Sequence, residues 1–547
     1  MNIGLYFNTV RKLKFKQIFF QIIRRIYRPE FKSYLQDPTT RTQNNKFIDA
    51  CPEKNSLISN KIFKFYGEEG NLLEIGWNGD KKEKLWRFNQ HYFNDLNASN
   101  SLNRIDWHKD LIQDWIINNH SKYSVGLHAY PLSLRIVNWI KWDLRKKNLS
   151  TLAIKSLFAQ GIYLEKSLEH HILGNHLFAN AKALIFLGCY FNCLISQRWL
   201  NKGLKIVYEE LHDQILDDGG NFELSPMYHC IFFKDVLDIL NILKSYDSEE
   251  TEEVKNIIKL LELKIPKMIN WINVMTFDDN KVTNFNDSAS NIGPSPLDIK
   301  KYAIKLGFNF ENITEVKKLN VIHLRDSGYI SVQKKDIKII IDTAKLGPDH
   351  LLAHGHADTL SFELSRQQKS IFVNSGTSCY GCSNRRMFER STRAHNTVEI
   401  NKTSSSQTWS SFRVAKRAYP YNLKINEKKE SLNIECSHDG YQKILNSGLS
   451  HTRYWNVDAR KIIIQDKVKG KYESAIARFI IDSNVTVKKI DSNKFFLKNN
   501  DVQIEFIIKV GTINLIKWES TNKFGYLEQT KCFEIGLING ISIVEII

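Results

Sequence analysis

A chain of 547 residues is longer than one hydrophobic core organises, and its 42% hydrophobic and 12% aromatic content suffices for two large domains, which excludes wholesale disorder. The formal charge of +18, from 77 basic against 59 acidic side chains, favours a polyanionic partner: nucleic acid, anionic lipid or acidic polysaccharide. No Arg-rich arm, zinc-finger spacing or RNA-binding aromatic motif accompanies that charge, so no nucleic acid is expected.

Residues 5–28 mix Phe and Ile with Arg11, Lys12, Lys14, Lys16, Arg24, Arg25 and Arg28. They read either as a basic amphipathic helix lying on an anionic membrane surface or as a first helix packed on the domain with a solvated basic side. The N-terminus lacks the long apolar core and small-residue cleavage site of a secretory signal, and no stretch reaches the roughly 18 apolar residues of a spanning helix. A cytoplasmic or peripheral inner-membrane location is expected, with the periplasm as the alternative. Eight scattered cysteines form no disulfide framework, and Cys379-Tyr-Gly-Cys382 has no second pair to complete a zinc site.

From about 105 to 275 apolar residues recur at helical spacing, predicting helices over 111–118, 133–143, 152–168, 176–191 and 236–245. Short loops such as Asp217-Asp218-Gly219-Gly220-Asn221 join them, as in helical hairpins stacked around an axis. From about 320 onward short β-branched runs predict strands over 329–333, 337–342, 369–374, 396–400, 461–465, 477–481 and 502–509. Turns every eight to fifteen residues or so indicate antiparallel pairing rather than a parallel α/β sheet. The chain divides into a basic helix and lead-in (1–100), a helical domain (101–315) and a β domain (316–547).

Four clusters carry chemically able side chains beside Gly or Pro. In Glu169-His170-His171-Ile-Leu-Gly174-Asn175-His176, Asn175 either caps the next helix or faces a site. In Gly219-Gly-Asn-Phe-Glu223-Leu-Ser225-Pro226-Met-Tyr228-His229, Ser-Pro breaks a preceding helix and puts Tyr228 in the first turn of the next, as a cleft acid or a packed aromatic. In His354-Gly-His356-Ala-Asp358, a His pair at i, i+2 on a strand would share one face and one metal or substrate. Arg390-Ser-Thr-Arg393-Ala-His395-Asn396-Thr397 follows, with Val373-Asn374-Ser375-Gly376 between the two.

These clusters, together with Ala129-Tyr-Pro-Leu-Ser-Leu-Arg135-Ile-Val-Asn-Trp139, resemble the heparinase II/III family of polysaccharide lyases, including members encoded in capsule and exopolysaccharide gene clusters. The resemblance implies an α+β multidomain fold, an N-terminal incomplete (α/α) toroid followed by a C-terminal antiparallel β-sandwich. It implies cleavage of an acidic polysaccharide at a uronic acid by β-elimination, with no organic cofactor. Asn175 would bind the uronate carboxylate, helped by His176; Tyr228 would be the acid at the leaving oxygen and a base for one C5 epimer; His354 would be the other base. Arg135, on chemistry more than on family match, would contact the carboxylate, and Glu223 and Arg393 complete the expected substrate contacts. Because a phenol titrates near 10, a cleft rich in Lys and Arg is expected to favour the Tyr228 phenolate.

In the family a structural zinc is held by the second His of the pair, an Asp and a later His, which fall here at His356, Asn374 and His395. A neutral amide is a poor zinc ligand, leaving a metal-free site, weak binding or recruitment of Asp358. Two other readings compete with the lyase: a non-lytic binding or assembly protein for capsule or lipopolysaccharide synthesis, and a glycan-modifying enzyme using the same cleft. The HxHxDH motif of metallo-β-lactamase-like hydrolases is also near, but Thr359 stands where it has its last His.

Overall fold

The computed structural model describes residues 3–34, 36–49, 51–119, 124–146, 149–246, 251–277, 280–309, 319–428, 430–445, 448–458 and 460–547. The expected boundary between halves, 315/316, lies outside the described residues. The chain is helical before this gap and sheet-rich after it. Two short helices, α1 (Ile3–Val10) and α2 (Phe15–Ile26), open the chain. A small antiparallel sheet of Leu57–Ser59, Ile62–Phe65 and Glu68–Asn71 follows. No helix among the described residues is long and apolar enough to cross a membrane.

The main helices are Ile105–Asn118, Ala129–Lys146, Thr151–Lys166, Gly174–Tyr190, Leu194–Gln214, Pro226–Ser245 and Glu252–Val274. Gly174–Tyr190 is central, packing on Ala129–Lys146, Leu194–Gln214 and Pro226–Ser245. The sequence reads this segment as amphipathic, but every residue from Leu177 to Tyr190 is buried, so it has no solvent face to encode. Ala181 and Gly188 let its neighbours close in, and a Cβ on Gly188 would stand 2.7 Å from the Leu200 amide nitrogen.

The sheet-rich part is antiparallel throughout its named strand pairs. Five strands (Asn320–Leu324, Tyr329–Lys334, Ile337–Asp342, Phe362–Arg366 and Lys369–Phe372) pair in chain order. Four-stranded and eight-stranded sheets share a second core with them. Successive side chains on a strand point to opposite faces. Tyr329 and Ile340 join the helical core, whereas Ile330, Ile339 and Ile341 join the core shared by the sheets. This explains the unbroken apolar run at 339–341: the five-stranded sheet is covered on both sides. Ser450–Val457, by contrast, alternates strictly between buried and half-buried positions.

Part of the positive charge is internal. Lys141 lies 2.5 Å from Asp238, Lys182 bridges Asp235 and Asp238, and Arg453 forms a fork on Asp466, all in buried surroundings. Net charge therefore overstates the basicity available to a ligand.

Candidate active site

The site lies where the helical and sheet-rich parts meet. Leu173 (φ 68°) and Gly174 (φ 57°) turn the chain into the helix carrying Asn175 and His176, both half-buried. Leu173, not Asn175, is the N-cap. The backbone N–H of Asn175 lies beside the buried Glu223 carboxyl and favours its ionised form, against the burial that raises it. A Cβ at Gly174 would meet Leu351 at 2.5 Å and Glu223 Oε1 at 2.9 Å. Gly174→Ala is therefore expected to cost about 1–3 kcal/mol of stability and to displace Asn175, measured by denaturant unfolding.

Tyr228 sits in the first turn of Pro226–Ser245, as the Ser-Pro dipeptide predicts, with the Ser225 hydroxyl accepting its N–H at 3.2 Å. Its ring stacks on His354 with centroids 3.7 Å apart. The Tyr228 and Tyr380 hydroxyls are 3.1 Å apart. Burial, then the neighbouring Tyr380 and Asp287, push the Tyr228 phenol well above its usual value. The expectation of a phenolate favoured by a basic cleft is thus corrected: the groups facing this phenol are a tyrosine and carboxylates, and it stays protonated.

His354 and His356 do not lie on a strand. Residues 343–361 are irregular, and the next strand begins at Phe362. What the pair shares is Asp287: His354 Nδ1 donates to Oδ2 at 2.9 Å and His356 Nε2 to Oδ1 at 2.8 Å. Arg386 forks onto the same carboxylate, with Nη2 2.7 Å from Oδ2. Burial alone would raise the Asp287 carboxyl, but Arg386 and the two imidazoles outweigh it and hold the group well below the usual range. Its charge fixes a proton on His354 Nδ1, so that Nε2 is the ring nitrogen placed to act as a base. Nε2 lies 3.4 Å from Glu223 Oε2. On the opposite wall His176 Nδ1 is 3.2 Å from Glu169 Oε2, and its ring lies 4.5 Å from that of Tyr130. Burial favours a neutral Glu169, yet His176 and Asn180 keep it below its ordinary value.

Two expected substrate contacts lie elsewhere. Arg135 is fully buried, its guanidinium 3.8 Å from the Trp115 ring centroid and donating to Gln160 Oε1 and to the Gly126 and His91 carbonyls. A core cation with its donors satisfied internally does not reach a substrate. Arg393 is exposed over Trp518, in a groove that shares no lining residue with the Tyr228–His354 cluster. Glu223 belongs to the cluster, but as a buried group between Asn175 and His354. Asp287 and Arg386 lie outside the four sequence clusters, and Glu169 stands in the first of them without an assigned role. Tyr380 stands inside Cys379-Tyr-Gly-Cys382, whose two thiols are free and whose tyrosine carries the contact to the site.

The zinc residues converge only in part. His356 Nδ1 faces His395 Nε2 at 3.2 Å, and Asp287 orients His356 as a carboxylate orients a metal-bound imidazole. The third position is the Asn374 amide, whose oxygen already accepts the Asn396 N–H at 3.0 Å. Asp358 turns instead to the Asn286 N–H at 3.2 Å. No group of three His, Cys, Asp or Glu ligands forms among the described residues. A tetrahedral zinc site uses anionic or imidazole donors, so this set does not fit one. Asn374→Asp is expected to create stoichiometric zinc binding that survives dialysis against a weak chelator, measured by elemental analysis; stoichiometric zinc in the unmodified chain would contradict this account.

A helical part, a sheet-rich part and a His–Tyr–carboxylate cluster at their junction define the class of protein, and comparison with known proteins agrees. The model of the heparinase II/III N-terminus matches residues 139–295 and that of the heparinase II/III-like C-terminal domain residues 317–521. The chain belongs to the heparinase II/III-like family. It is 27% identical over 249 residues to a heparin-sulfate lyase from Bacteroides stercoris, an alignment taking in 43% of this chain and 37% of that one. The match thus spans well under half of that curated relative. Heparinase III superposes with a TM-score of 0.68 at 18% identity, covering 88% of this chain and 79% of that one. A mutant of heparan sulfate lyase HepC from Pedobacter heparinus gives 0.59 at 16%, covering 89% and 81%. At such identities the structural likeness speaks for the fold alone.

Proposed function

We propose that the protein is a polysaccharide lyase that cleaves the bond at O4 of a uronic acid by β-elimination, in a cleft between an incomplete (α/α) toroid and an antiparallel β-sandwich. The observation that carries this reading is the stacked Tyr228–His354 pair, a neutral phenol beside an imidazole whose tautomer a buried carboxylate fixes. Elimination requires a base at C5, an acid at O4 and a partner for the uronate carboxylate. His354 Nε2 takes the C5 proton, the C4–O4 bond breaks as C4=C5 forms, and O4 leaves with the Tyr228 proton. The imidazolium so formed lies between the Asp287 and Glu223 carboxylates, which stabilise it. The Asn175 amide and His176 contact the uronate carboxylate, whose charge would otherwise oppose loss of the C5 proton. The lyases named among the relatives support an acidic polysaccharide as substrate.

The test is incubation with heparan sulfate, chondroitin, alginate and bacterial capsular uronans while following the ultraviolet absorbance of the conjugated C4=C5 product. A rise that Asn175→Ala removes supports elimination in this cleft. A flat trace across the panel, with polymer binding retained, would replace the proposal by the non-lytic assembly reading.

A further inference from the structure

Residues 3–28 contain seven basic side chains and no Asp or Glu. Their two helices are fastened to the molecule by polar and aromatic contacts on one side. On α1, the Thr9 hydroxyl donates to the Val414 carbonyl, and Tyr6 packs edge-on against Trp409 with centroids 4.7 Å apart. On α2, Gln17 is the buried residue, its amide donating to the Ile172 and His350 carbonyls. Phe20 lies against His170, and Arg24 meets His171. The pair thus straps across the junction, touching the helical part at 170–172 and the sheet-rich part at 349–350 and 409–414.

What faces outward is apolar. Ile3, Phe7 and Val10, at i, i+4 and i+7, form one stripe of α1, with Phe7 64% exposed. Phe15, Ile18, Phe19, Ile22 and Ile26 form the corresponding stripe of α2, with Phe15 82% and Ile26 79% exposed. A helix that buries its Gln and exposes its Phe and Ile inverts the pattern by which a soluble domain is built. Contiguous exposed apolar surface of this kind marks an interaction site. Lys16 and Arg25 of α2, with Arg11 and Arg28 just beyond the ends of the two helices, are exposed and meet no carboxylate within ion-pair distance among the described residues.

We propose that the α1–α2 face docks on the surface of an anionic lipid bilayer, with the apolar stripes entering the headgroup–acyl boundary and the unpaired cations meeting lipid phosphates. Charge complementarity selects this occupant: a stripe bordered by cations without acidic partners is self-repulsive against a second copy and complementary to anionic headgroups. The docking brings the bilayer close to the cleft, because α2 rests on the 170–172 loop that leads into Asn175. It is independent of the reaction proposed above.

The test is flotation of the full chain with vesicles of equal parts phosphatidylglycerol and phosphatidylcholine, beside vesicles of phosphatidylcholine alone. Retention on the anionic vesicles is expected to fall by roughly tenfold or more in Phe15→Ser/Ile22→Ser/Ile26→Ser and in Lys16→Glu/Arg25→Glu. The thermal midpoints should change little, since Phe15, Ile22 and Ile26 lie outside the hydrophobic core and Lys16 and Arg25 are exposed. No retention of the unmodified chain, equal retention on both vesicle types, or unchanged retention of the variants overturns the proposal. So does self-association in solution that the serine variant abolishes while vesicles go unbound.

Discussion

Tyr228→Phe is expected to lower kcat by about 10²–10⁴-fold on the polysaccharide that the chain cleaves, the range for removal of a positioned general acid. KM should change little, because the phenyl ring still stacks on His354. Only the hydroxyl proposed to protonate O4, and its contact with Tyr380, are lost. Burial and the facing carboxylates keep this phenol protonated beyond its ordinary value near 10, so the acid form is not depleted over neutral and mildly alkaline pH. The pH profile of kcat/KM should therefore lack an alkaline limb from Tyr228 below about pH 10. A Tyr228→Phe enzyme within a few-fold of the unmodified rate would remove Tyr228 from the chemistry. Tyr380→Phe should have a smaller effect, since that hydroxyl acts through Tyr228.

Asp287→Asn should harm both rate and stability. The amide cannot accept from His354 Nδ1, His356 Nε2 and the Arg386 fork together, so the His354 tautomer that the proposed base requires is no longer enforced. A loss of about 10³-fold or more in kcat/KM is expected, comparable to misorienting a catalytic imidazole elsewhere. Arg386 would be left as an uncompensated buried charge, at a cost of about 3–5 kcal/mol measurable by denaturant unfolding. The pH dependence has a definite sign. The folded-state carboxyl titrates below its unfolded value of about 3.9, so its contribution is complete above that value and is lost as pH falls through the folded-state value. The Asn variant should accordingly show a weaker decline of stability between neutral pH and the acid range. If it keeps both stability and rate, Asp287 is not the organising carboxylate.

The parts of this molecule legible in its sequence are those written in local chemistry. Ser225-Pro226 fixes where a helix starts and hence where Tyr228 points, and the strand expected over 337–342 is found as Ile337–Asp342. The helix expected over 176–191 is found as Gly174–Tyr190, but it is not amphipathic, because it has no solvent face from Leu177 onward. The site was harder because its organising group is distant in sequence from everything it holds. Asp287 lies in the polar run Asn284-Phe-Asn-Asp-Ser288, 67 residues before His354 and 99 before Arg386, and no spacing rule connects them. Arg135 misled for the converse reason. An Arg in a helix does not announce that an indole and three acceptors await it inside.

If this chain breaks a glycosidic bond by elimination, the mass of the new chain ends records it. Oligosaccharides released from a uronate polymer by the unmodified enzyme should carry non-reducing ends one water lighter than hydrolysis would leave, with the unsaturation at C4=C5. Ends of hydrolytic mass, or a polymer that is bound but left intact throughout the panel, would contradict the account.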